Sequence, residues 1–406
     1  MHILLDLSWM KPGCKGGIET QSRAFLYTLL EIDYSNTYTV CLPSEVRFDF
    51  DFAGHQNFKI INSDGPAYFA YRLLEKVGLS RASSGQKVIA GHQIDCEIAI
   101  TMSGYTNPDL YSLPTVLVVP DIQHEFFPQY FSVQELDSRK SAFTTSIGKA
   151  QLICAISNFT KQTLISKLNV NPEKVYVTPL AADPQIIKPI PASVQAQTLN
   201  KYGLKPGYLF YPAFTWPHKN HINLLRAMRL LRDQHGLRPE LVCTGTPKDA
   251  QSEIESVIQQ LNLTDQVHFL GYVPQVEMGS FYRNAAALVF PSLFEGFGMP
   301  VLEAMACGCP VVCSRSTSLP EVGGDAALYI DPEDPGDLAN GLLLLLNQPD
   351  FRESMIAKGL EQAKGFSWLR FTLQILQQAF CATFIMAGMF IGFCLYHKFI
   401  LPKPAT

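Results

Sequence analysis

Two carboxylates stand eight positions apart in a glycine-rich stretch, FEGFGMPVLEAMACG, at residues 294–308. Glu295 precedes the loop that holds Gly296 and Gly298, and Glu303 lies in the apolar run that follows. A glycosidase with two catalytic carboxylates would need these groups about 5–9.5 Å apart and facing one sugar. A spacing that crosses a loop and a helix does not enforce this distance, so two separate tasks are equally open.

The residues between the two carboxylates predict a helix N-terminus that can bind an anion. Glycine lets the backbone approach a ligand closely, and Pro300 suits the first helical turn because no N–H is needed there. Gly308 suits a C-terminal cap, which gives a helix over about 300–307. The backbone N–H groups near Phe297 to Val301 would then lie at the positive end of the helix dipole.

Glu303 is the only charged residue between Met299 and Cys313. An acidic residue in the first turns of a helix can complement the helix dipole, for ~0.3–1 kcal/mol. Burial of a lone carboxylate in so apolar a run would be costly without partners. Beside a bound phosphate, a carboxylate can accept hydrogen bonds from sugar hydroxyls, as in dinucleotide-binding folds. The residue types favour recognition of nucleotide hydroxyls, with dipole complementation as the alternative.

Short apolar runs alternate with helical segments along the chain, which predicts parallel sheets with helices on both faces. A chain of 406 residues is long enough for two such domains. Ligands of open α/β sheets bind at the carboxyl ends of strands, so the chemistry is expected in the loops after strands. Strands are predicted at 3–9, 38–42, 97–101, 115–120, 152–157, 175–179, 207–212, 240–245, 267–272, 286–292 and 310–314. Helices are predicted near 18–30, 158–168, 220–235, 250–261, 276–284, 300–307, 337–347 and 350–364.

A stretch with three prolines and no periodicity, residues 183–200, is interpreted as a linker. It separates an N-terminal domain (1–182) from a C-terminal domain (201–365), which a crossing helix (366–378) follows. The next segment, 379–396, holds 18 uncharged residues. As a helix it would span about 27 Å, just short of a hydrocarbon core of ~30 Å. A membrane-associated helix and a helix docked in a hydrophobic groove are both open.

Composition narrows the partners and the compartment. The net charge is −4 without a basic block, which disfavours nucleic acid. Ten scattered cysteines without a CxxC pair suit a reducing compartment. The N-terminus, MHILLDLSW, lacks the pattern of a signal peptide, so a cytoplasmic location is expected. Asp49 and Asp51 spell DFD in an irregular segment and are interpreted as a chance match to a metal-binding motif.

Taken in order, the motifs resemble the retaining glycosyltransferases of family 4, whose GT-B fold has two Rossmann-like domains facing a central cleft. EGFGMPVLE resembles the E-x7-E signature of that family. The resemblance covers about residues 1–375. Its other blocks are GGIET (16–20), AISNFTKQTL (155–164), HKNHINLLRAM (218–228), VHFLGYV (267–273) and LPEVGGDAALYIDPED (319–334).

The resemblance implies a role for each site residue. Glu303 would bind the ribose hydroxyls of a donor nucleotide, Glu295 would contact the transferred sugar, and Lys219 would neutralise the diphosphate. Glu295 and His124, the latter on the acceptor side, are the candidate catalytic residues. The other implied residues are Phe297, Gly298, Met299, Pro300, Val301 and Leu302 at the diphosphate and sugar, Gly16 and Gly17 approaching from the other domain, and Tyr272 and Val273 near the base.

Two positions depart from the family pattern. Many relatives place an arginine about six residues before the phosphate lysine, where this chain has Ala213. His218, or the charge of Lys219 alone, would then have to serve at the diphosphate. In GFSWLRF (365–371), an acidic residue often follows the tryptophan in relatives, and here a leucine does.

The resemblance implies transfer of a hexose, with mannose as a candidate, from a nucleotide diphosphate sugar to a hydroxyl. The acceptor would be a glycan or a lipid-linked glycan in cell-surface polysaccharide synthesis, and neither a metal nor another cofactor is expected. The aromatic stretch FFPQYF (126–131) is either a packed loop or a contact with the inner face of the cell membrane. The alternatives are a nucleotide-sugar epimerase and a non-catalytic nucleotide-sugar-binding protein. A dehydrogenase is disfavoured because no GxGxxG follows the first strand.

Overall fold

The computed structural model describes residues 1–11, 16–64, 87–89, 92–106 and 113–386. By its internal contacts the chain divides into two compact units. The first unit comprises Met1–Ile156, Thr160–Thr178 and the chain from Trp368 onward, and the second comprises Ser157–Phe159 and Pro179–Ser367.

The first unit is built on a parallel sheet of seven strands in the order β3-β2-β1-β6-β7-β8-β9. Its central strands are continuous apolar runs, as expected for strands that helices cover on both faces. The strands are β1 His2–Asp6, β2 Thr37–Leu42, β3 Phe58–Asn62, β6 Ile98–Thr101, β7 Thr115–Val119, β8 Leu152–Ala155 and β9 Val175–Val177, beside an antiparallel pair, β4 Lys87–Ile89 and β5 His92–Ile94.

Four helices begin within the N-terminal part of the chain that the structure describes, and their ends follow local capping rules. Ser132 and Glu135 form a capping box at the start of the third helix. The Ser132 side chain accepts from the Glu135 N–H, and the Glu135 side chain accepts from the Ser132 N–H. The helices are α1 Gly17–Ile32, α2 Ser44–Arg47, α3 Val133–Lys149 and α4 Asn158–Leu168, with 3₁₀ turns at Gln123–Glu125, Pro128–Tyr130 and Pro172–Lys174.

The second unit is built on a parallel sheet of six strands in the order β12-β11-β10-β13-β14-β15. Strands β10 and β13 are central neighbours, so their carboxyl-terminal loops lie side by side. The strands are β10 Tyr208–Pro212, β11 Leu241–Thr244, β12 Val267–Phe269, β13 Ala285–Phe290, β14 Val311–Ser314 and β15 Ala327–Ile330. Both parallel sheets confirm the predicted α/β class with two Rossmann-like domains.

Helices cover the second sheet, and prolines begin several of them. Pro335, for example, stands in the first turn of a helix whose N-cap, Asp334, accepts a hydrogen bond from the Gly336 N–H. The helices are α5 Pro184–Ile187, α6 Ala192–Lys201, α7 His221–His235, α8 Gln251–Gln260, α9 Gln275–Asn284, α10 Met299–Ala306, α11 Leu319–Gly323, α12 Pro335–Asn347 and α13 Pro349–Ala363, with 3₁₀ turns at Pro217–Lys219 and Gly324–Ala326.

Residues 183–200 differ from the linker that the sequence predicts. They form α5 and most of α6, and they belong to the second unit. Two of their three prolines stand where helices begin: Pro184 lies in the first turn of α5, and Pro191 is the N-cap of α6. Asp183 caps α5 by accepting from the Gln185 N–H. Arg283 fixes the segment further, because its guanidinium donates to the carbonyls of Ile186, Ile187 and Lys188.

The last described helix, α14 (Trp368–Met386), runs across the boundary predicted between the crossing helix and the apolar segment. It packs on the first unit, where the Phe371 ring meets the Phe25 ring edge-on at 6.1 Å. Ala379 and Ala382 are fully buried, as expected for a docked helix. Of the helices that the structure describes, none combines the length and apolar character needed to cross a bilayer. Residues 387–396 of the predicted segment lie outside the described residues.

Candidate active site

The glycine-rich stretch forms the loop after β13 and the start of α10. Gly298 has φ 104°, a left-handed conformation that favours glycine, and it directly precedes the helix. α10 spans Met299–Ala306, close to the predicted 300–307. The Ser318 hydroxyl lies 2.9 Å from the carbonyl oxygens of both Glu295 and Phe297 and holds the loop in place. The loop is therefore fixed by side-chain contacts as well as by its own backbone.

The backbone donors at this helix start are fewer than the sequence predicts. Pro300 has no N–H, and the N–H groups of Val301 and Leu302 donate to the Gly298 carbonyl at 3.0 and 3.5 Å. The N–H groups of Phe297, Gly298 and Met299 remain as the donors that could hold an anion. They lie at the positive end of a helix dipole, where negative charge is stabilised.

Lys219 and Glu295 join the loops after β10 and β13. The Lys219 Nζ lies 2.6 Å from the Glu295 Oε1, and the side chains are 16% and 12% exposed. The ammonium also lies 5.5 Å from the centre of the Phe290 ring. The Lys219 carbonyl accepts from the Tyr211 hydroxyl, and the neighbouring His218 carbonyl accepts from the Leu293 N–H. A lysine and a glutamate that the sequence leaves unrelated thus form a charge-assisted pair.

His218 is poorly suited to take the role of the arginine that many relatives have at the position of Ala213. Burial, and then the positive charge of Lys219, lower the pKa of His218 to about 3. The imidazole is therefore neutral at pH 7. Lys219 remains as the cation that the sequence predicts for the diphosphate.

Glu303 is buried, with 5% of its surface exposed. The Tyr282 hydroxyl donates to its Oε2 at 2.8 Å, and the backbone N–H of Asp183 favours the charged form of the same carboxyl group. Burial raises the pKa of Glu303 to about 7, and the charge of Asp183 acts in the same direction. Sequence reasoning missed both groups, since nothing in a single sequence links positions 183, 282 and 303.

Tyr272 and Val273 follow β12 at the carboxyl end of the second sheet. The Tyr272 side chain is 55% exposed and the Val273 side chain 5%. Gly271 has φ 67°, and its carbonyl accepts from the Gly245 N–H after β11. Of the two predicted base contacts, Tyr272 can therefore offer its ring, whereas the Val273 side chain belongs to the core.

Gly16 and Gly17 lie at the start of α1 in the first unit. A Cβ built on either would have no atom of the described residues within 4 Å, and neither has a positive φ. Neither local crowding nor backbone strain therefore requires glycine there.

His124 lies in the 3₁₀ turn after β7 and is 3% exposed. Its ring packs 4.9 Å from the Phe143 ring, and its Nε2 makes no hydrogen bond with the described residues. The Glu125 carboxylate lies 3.7 Å from that nitrogen. Burial lowers the pKa of His124, so the ring is neutral at pH 7.

The DFD aspartates have local partners. Asp49 pairs with Arg23 at 2.7 Å, and Asp51 accepts from the Ala53 N–H at 2.9 Å. Among the described residues, no group of three or more His, Cys, Asp or Glu side chains is arranged to hold a metal ion.

Comparisons with known proteins place this geometry in context. The family model for glycosyl transferases group 1 matches residues 195–362. O-antigen chain mannosyltransferase B of Escherichia coli is 34% identical over 278 residues, which are 67% of this chain and 72% of that protein. The serotype-specific mannosyltransferase WbdA of Escherichia coli is 27% identical over 91% of this chain, which spans 46% of WbdA. O-antigen chain mannosyltransferase RfbU of Salmonella typhimurium is 29% identical over 58% of this chain and 61% of its own length.

Solved structures agree on the fold. HepE of Anabaena, in complex with UDP and glucose, has a TM-score of 0.68 at 17% identity, and the match covers 93% of this chain and 99% of the HepE chain. WaaG, a glycosyltransferase involved in lipopolysaccharide biosynthesis, has a TM-score of 0.65 at 17% identity, and the match covers 95% of this chain and 100% of WaaG. At these identities the similarity shows the fold, which is the GT-B type predicted from the sequence.

Proposed function

The chain belongs to the group 1 glycosyl transferases, and we propose that it transfers a mannosyl residue from a nucleotide diphosphate sugar to a glycan hydroxyl. The acceptor is a glycan or a lipid-linked glycan in the synthesis of a cell-surface polysaccharide. The names of the similar mannosyltransferases support the sugar and the process. The observation that carries the proposal is the Lys219–Glu295 pair beside the N-terminus of α10, because it brings a cation, a carboxylate and backbone donors together.

Lys219 exchanges one anionic partner for another when the donor binds. Its ammonium pairs with Glu295, and a bound diphosphate offers it a second partner with more negative charge. Glu295 then accepts hydrogen bonds from hydroxyls of the transferred sugar. The N–H groups of Phe297, Gly298 and Met299 bind oxygens of the diphosphate and stabilise the charge that develops as it leaves.

The reaction that we propose is retaining, in accordance with the E-x7-E signature of family 4. The bond between the anomeric carbon and the diphosphate oxygen breaks, and the acceptor oxygen bonds to that carbon from the same face. The proton of the acceptor hydroxyl moves to the leaving phosphate, so no carboxylate need act as nucleophile. The pairing of Glu295 with Lys219 suits a binding carboxylate.

A donor panel tests the proposal. UDP-, GDP- and ADP-linked sugars, mannose among them, are incubated with the protein and a mannosyl acceptor, and the product linkage is determined by NMR. We expect a new glycosidic bond with retained configuration from one nucleotide class. Conversion of the donor without acceptor would identify an epimerase. If the wild type and a Glu295→Ala variant both bind the donor and neither turns it over, the chain is a non-catalytic binding protein.

We further propose that the aromatic loop, residues 126–131, contacts the membrane surface that carries a lipid-linked acceptor. Its Phe127 and Tyr130 rings stack at 5.3 Å. Cations lie over the other two rings: Lys167 at 5.3 Å from the Phe126 ring and Arg139 at 4.8 Å from the Phe131 ring. Aromatic rings beside cations suit the interface of an anionic membrane.

Sedimentation with anionic vesicles tests this contact. Because Ala379 and Ala382 are buried in the first unit, a truncation to test the tail should remove residues 387–406 and keep α14. We expect a Phe127→Ser/Tyr130→Ser variant to bind vesicles more weakly than the full chain. The proposed contact would be contradicted if vesicles did not increase the sedimentation of the full chain, the truncation or the loop variant.

A further inference from the structure

Glu303 is a buried carboxylate with no cationic partner in the part of the chain that the structure describes. Such a group is costly to bury unless hydrogen bonds satisfy it. Two groups from different elements favour its charged form: the Tyr282 hydroxyl, which donates to its Oε2 at 2.8 Å, and the backbone N–H of Asp183. The bond from Tyr282 restricts how the carboxyl group can rotate.

The Tyr282 hydroxyl is held rigidly. The residue is fully buried in the last turn of α9, and its ring meets the Phe210 ring edge-on at 5.1 Å. Burial raises the pKa of Tyr282, and the charge of Glu303 raises it further, so the phenol keeps its proton and acts as the donor. Its position is therefore set by the core of the second unit.

The Asp183 N–H is held just as firmly, although its own carboxylate serves elsewhere. That carboxylate accepts from the Gln185 N–H at 2.8 Å and from the Gln275 Nε2 at 3.0 Å. The next residues are clamped by Arg283. Gly279 lets α9 approach them, since a Cβ there would lie 2.3 Å from the Ile186 carbonyl oxygen.

We infer that Tyr282 and the backbone amide of Asp183 are positioning groups, which fix the Glu303 carboxylate so that its remaining lone pairs accept two vicinal hydroxyls of a ribose. Two donors occupy part of the acceptor capacity of a carboxylate, which has about four lone-pair sites. The remaining sites then have one orientation. The donor site becomes selective for ribonucleotides over 2′-deoxyribonucleotides, an inference that rests on the proposed function.

The experiment compares ribose discrimination in matched variants. The affinities of GDP, 2′-deoxy-GDP, UDP and 2′-deoxy-UDP are measured by calorimetry for the wild type, Tyr282→Phe and Tyr208→Phe. The Tyr208 hydroxyl is also buried and donates to the Phe281 carbonyl at 2.9 Å, so this control loses a phenol hydroxyl without touching Glu303. We expect the wild type and Tyr208→Phe to prefer the ribonucleotide about tenfold or more. In Tyr282→Phe the preference should fall below about threefold through weaker ribonucleotide binding.

A second pair of variants isolates the backbone amide. Asp183 has φ −64° and ψ 122°, values that proline can adopt before another proline. Asp183→Ala removes the carboxylate and keeps the N–H, whereas Asp183→Pro removes both. We expect Asp183→Pro to lose ribose discrimination relative to Asp183→Ala, with urea unfolding to confirm that both are folded.

The outcomes separate the two proposals. A wild type that binds a ribonucleotide selectively, with unchanged selectivity in Tyr282→Phe and Asp183→Pro, would overturn the positioning inference alone. A wild type that binds neither nucleotide and transfers no sugar would overturn the proposed function, and this inference with it. A loss of selectivity in Tyr282→Phe but not in Tyr208→Phe would support it, because a general loss of stability does not change a ratio of affinities.

Discussion

The ammonium of Lys219 lies 2.6 Å from the carboxylate of Glu295, and this pair joins the loops that follow the adjacent strands β10 and β13. Both side chains are mostly buried, which strengthens their attraction relative to that of a surface pair. The residues expected at the diphosphate and at the sugar therefore neutralise each other. We expect binding of a donor to rearrange this pair.

Loss of either partner should affect a different step. In Lys219→Ala we expect donor affinity to fall about 10- to 100-fold, because a charge-assisted contact of ~1.5–3 kcal/mol is removed. In Glu295→Ala we expect kcat to fall at least about 100-fold, as for loss of a group that stabilises the transition state. Donor titration and steady-state kinetics measure the two effects.

An exposed ion pair provides the control for these variants. Lys201 lies 2.7 Å from Glu277 on the surface of the same unit, with 55% of its side chain exposed. Lys201→Ala should leave donor affinity and turnover unchanged, since exposed pairs contribute little. Near wild-type turnover in both Lys219→Ala and Glu295→Ala would rule out the proposed site.

Short-range patterns in the sequence predict the strands and helices of the fold well. They do not predict the contacts of the candidate site, because these join residues that are far apart in the sequence. The apolar run at 115–120 became β7 (Thr115–Val119), and the helix predicted at 300–307 is α10. Residues 183–200 were misinterpreted because four- and ten-residue helices are too short to show periodicity. The contacts of Glu303 with Tyr282 and Asp183 depend on tertiary packing, for which a single sequence carries no local pattern.

Gly298→Ala should disturb the loop that carries the backbone donors. The φ of 104° is strained for any residue with a Cβ, and that Cβ would lie 2.5 Å from the Leu319 Cδ2. We expect a stability loss of ~1–3 kcal/mol in urea unfolding and a weaker affinity for nucleotide diphosphates. Gly148→Ala is the matched control, because it lies in α3 with open space around it. It should gain ~0.5–1 kcal/mol, and an equal gain in Gly298→Ala would contradict the assigned strain.

Arg283→Ala should release the segment that begins at Asp183. The guanidinium donates to the carbonyls of Ile186, Ile187 and Lys188 and to that of Gly279. We expect a loss of ~2–4 kcal/mol in the free energy of unfolding, because four acceptors, two of them in partly buried bonds, lose their donor. Lysine cannot reproduce the planar fork, so Arg283→Lys should restore little of this.

The control for Arg283 is an arginine on the surface of the same unit. Arg229 is 54% exposed and pairs with Asp233 one turn away, so Arg229→Ala should change stability by less than ~0.5 kcal/mol. If the two alanine variants unfold at the same urea concentration, Arg283 does not clamp the segment.

Glu303 should make the protein less stable as the pH rises. Its pKa is about 7 in the folded state, against an ordinary value of 4.5 for a glutamate, so the folded state binds this proton more tightly. The resulting stability is fully present below pH 4.5 and is lost as the pH rises to about 7, on the order of 3 kcal/mol. Tyr282, Asp183 and Cys307 are the titratable groups around it.

Urea unfolding between pH 5 and 8 tests this for the wild type and Glu303→Gln. We expect the glutamine variant to lack this part of the pH dependence and to gain stability relative to the wild type toward pH 8. Contributions from the buried histidines cancel in the difference between the two proteins. Parallel pH profiles would show that Glu303 titrates normally in the folded state.

Phe371→Ala should show how strongly α14 is docked on the first unit. The ring is fully buried and meets the rings of Phe25 and Trp368 edge-on at 6.1 and 5.4 Å. Truncation leaves a cavity, so we expect the free energy of unfolding to fall by ~3–5 kcal/mol. Leu373 lies on the same helix and is 37% exposed, so Leu373→Ala should cost less than ~1 kcal/mol. If the free energy of unfolding falls by a similarly small amount in both variants, α14 is not docked in solution. In a docked helix, removal of the Phe371 ring must cost more than removal of the exposed leucine.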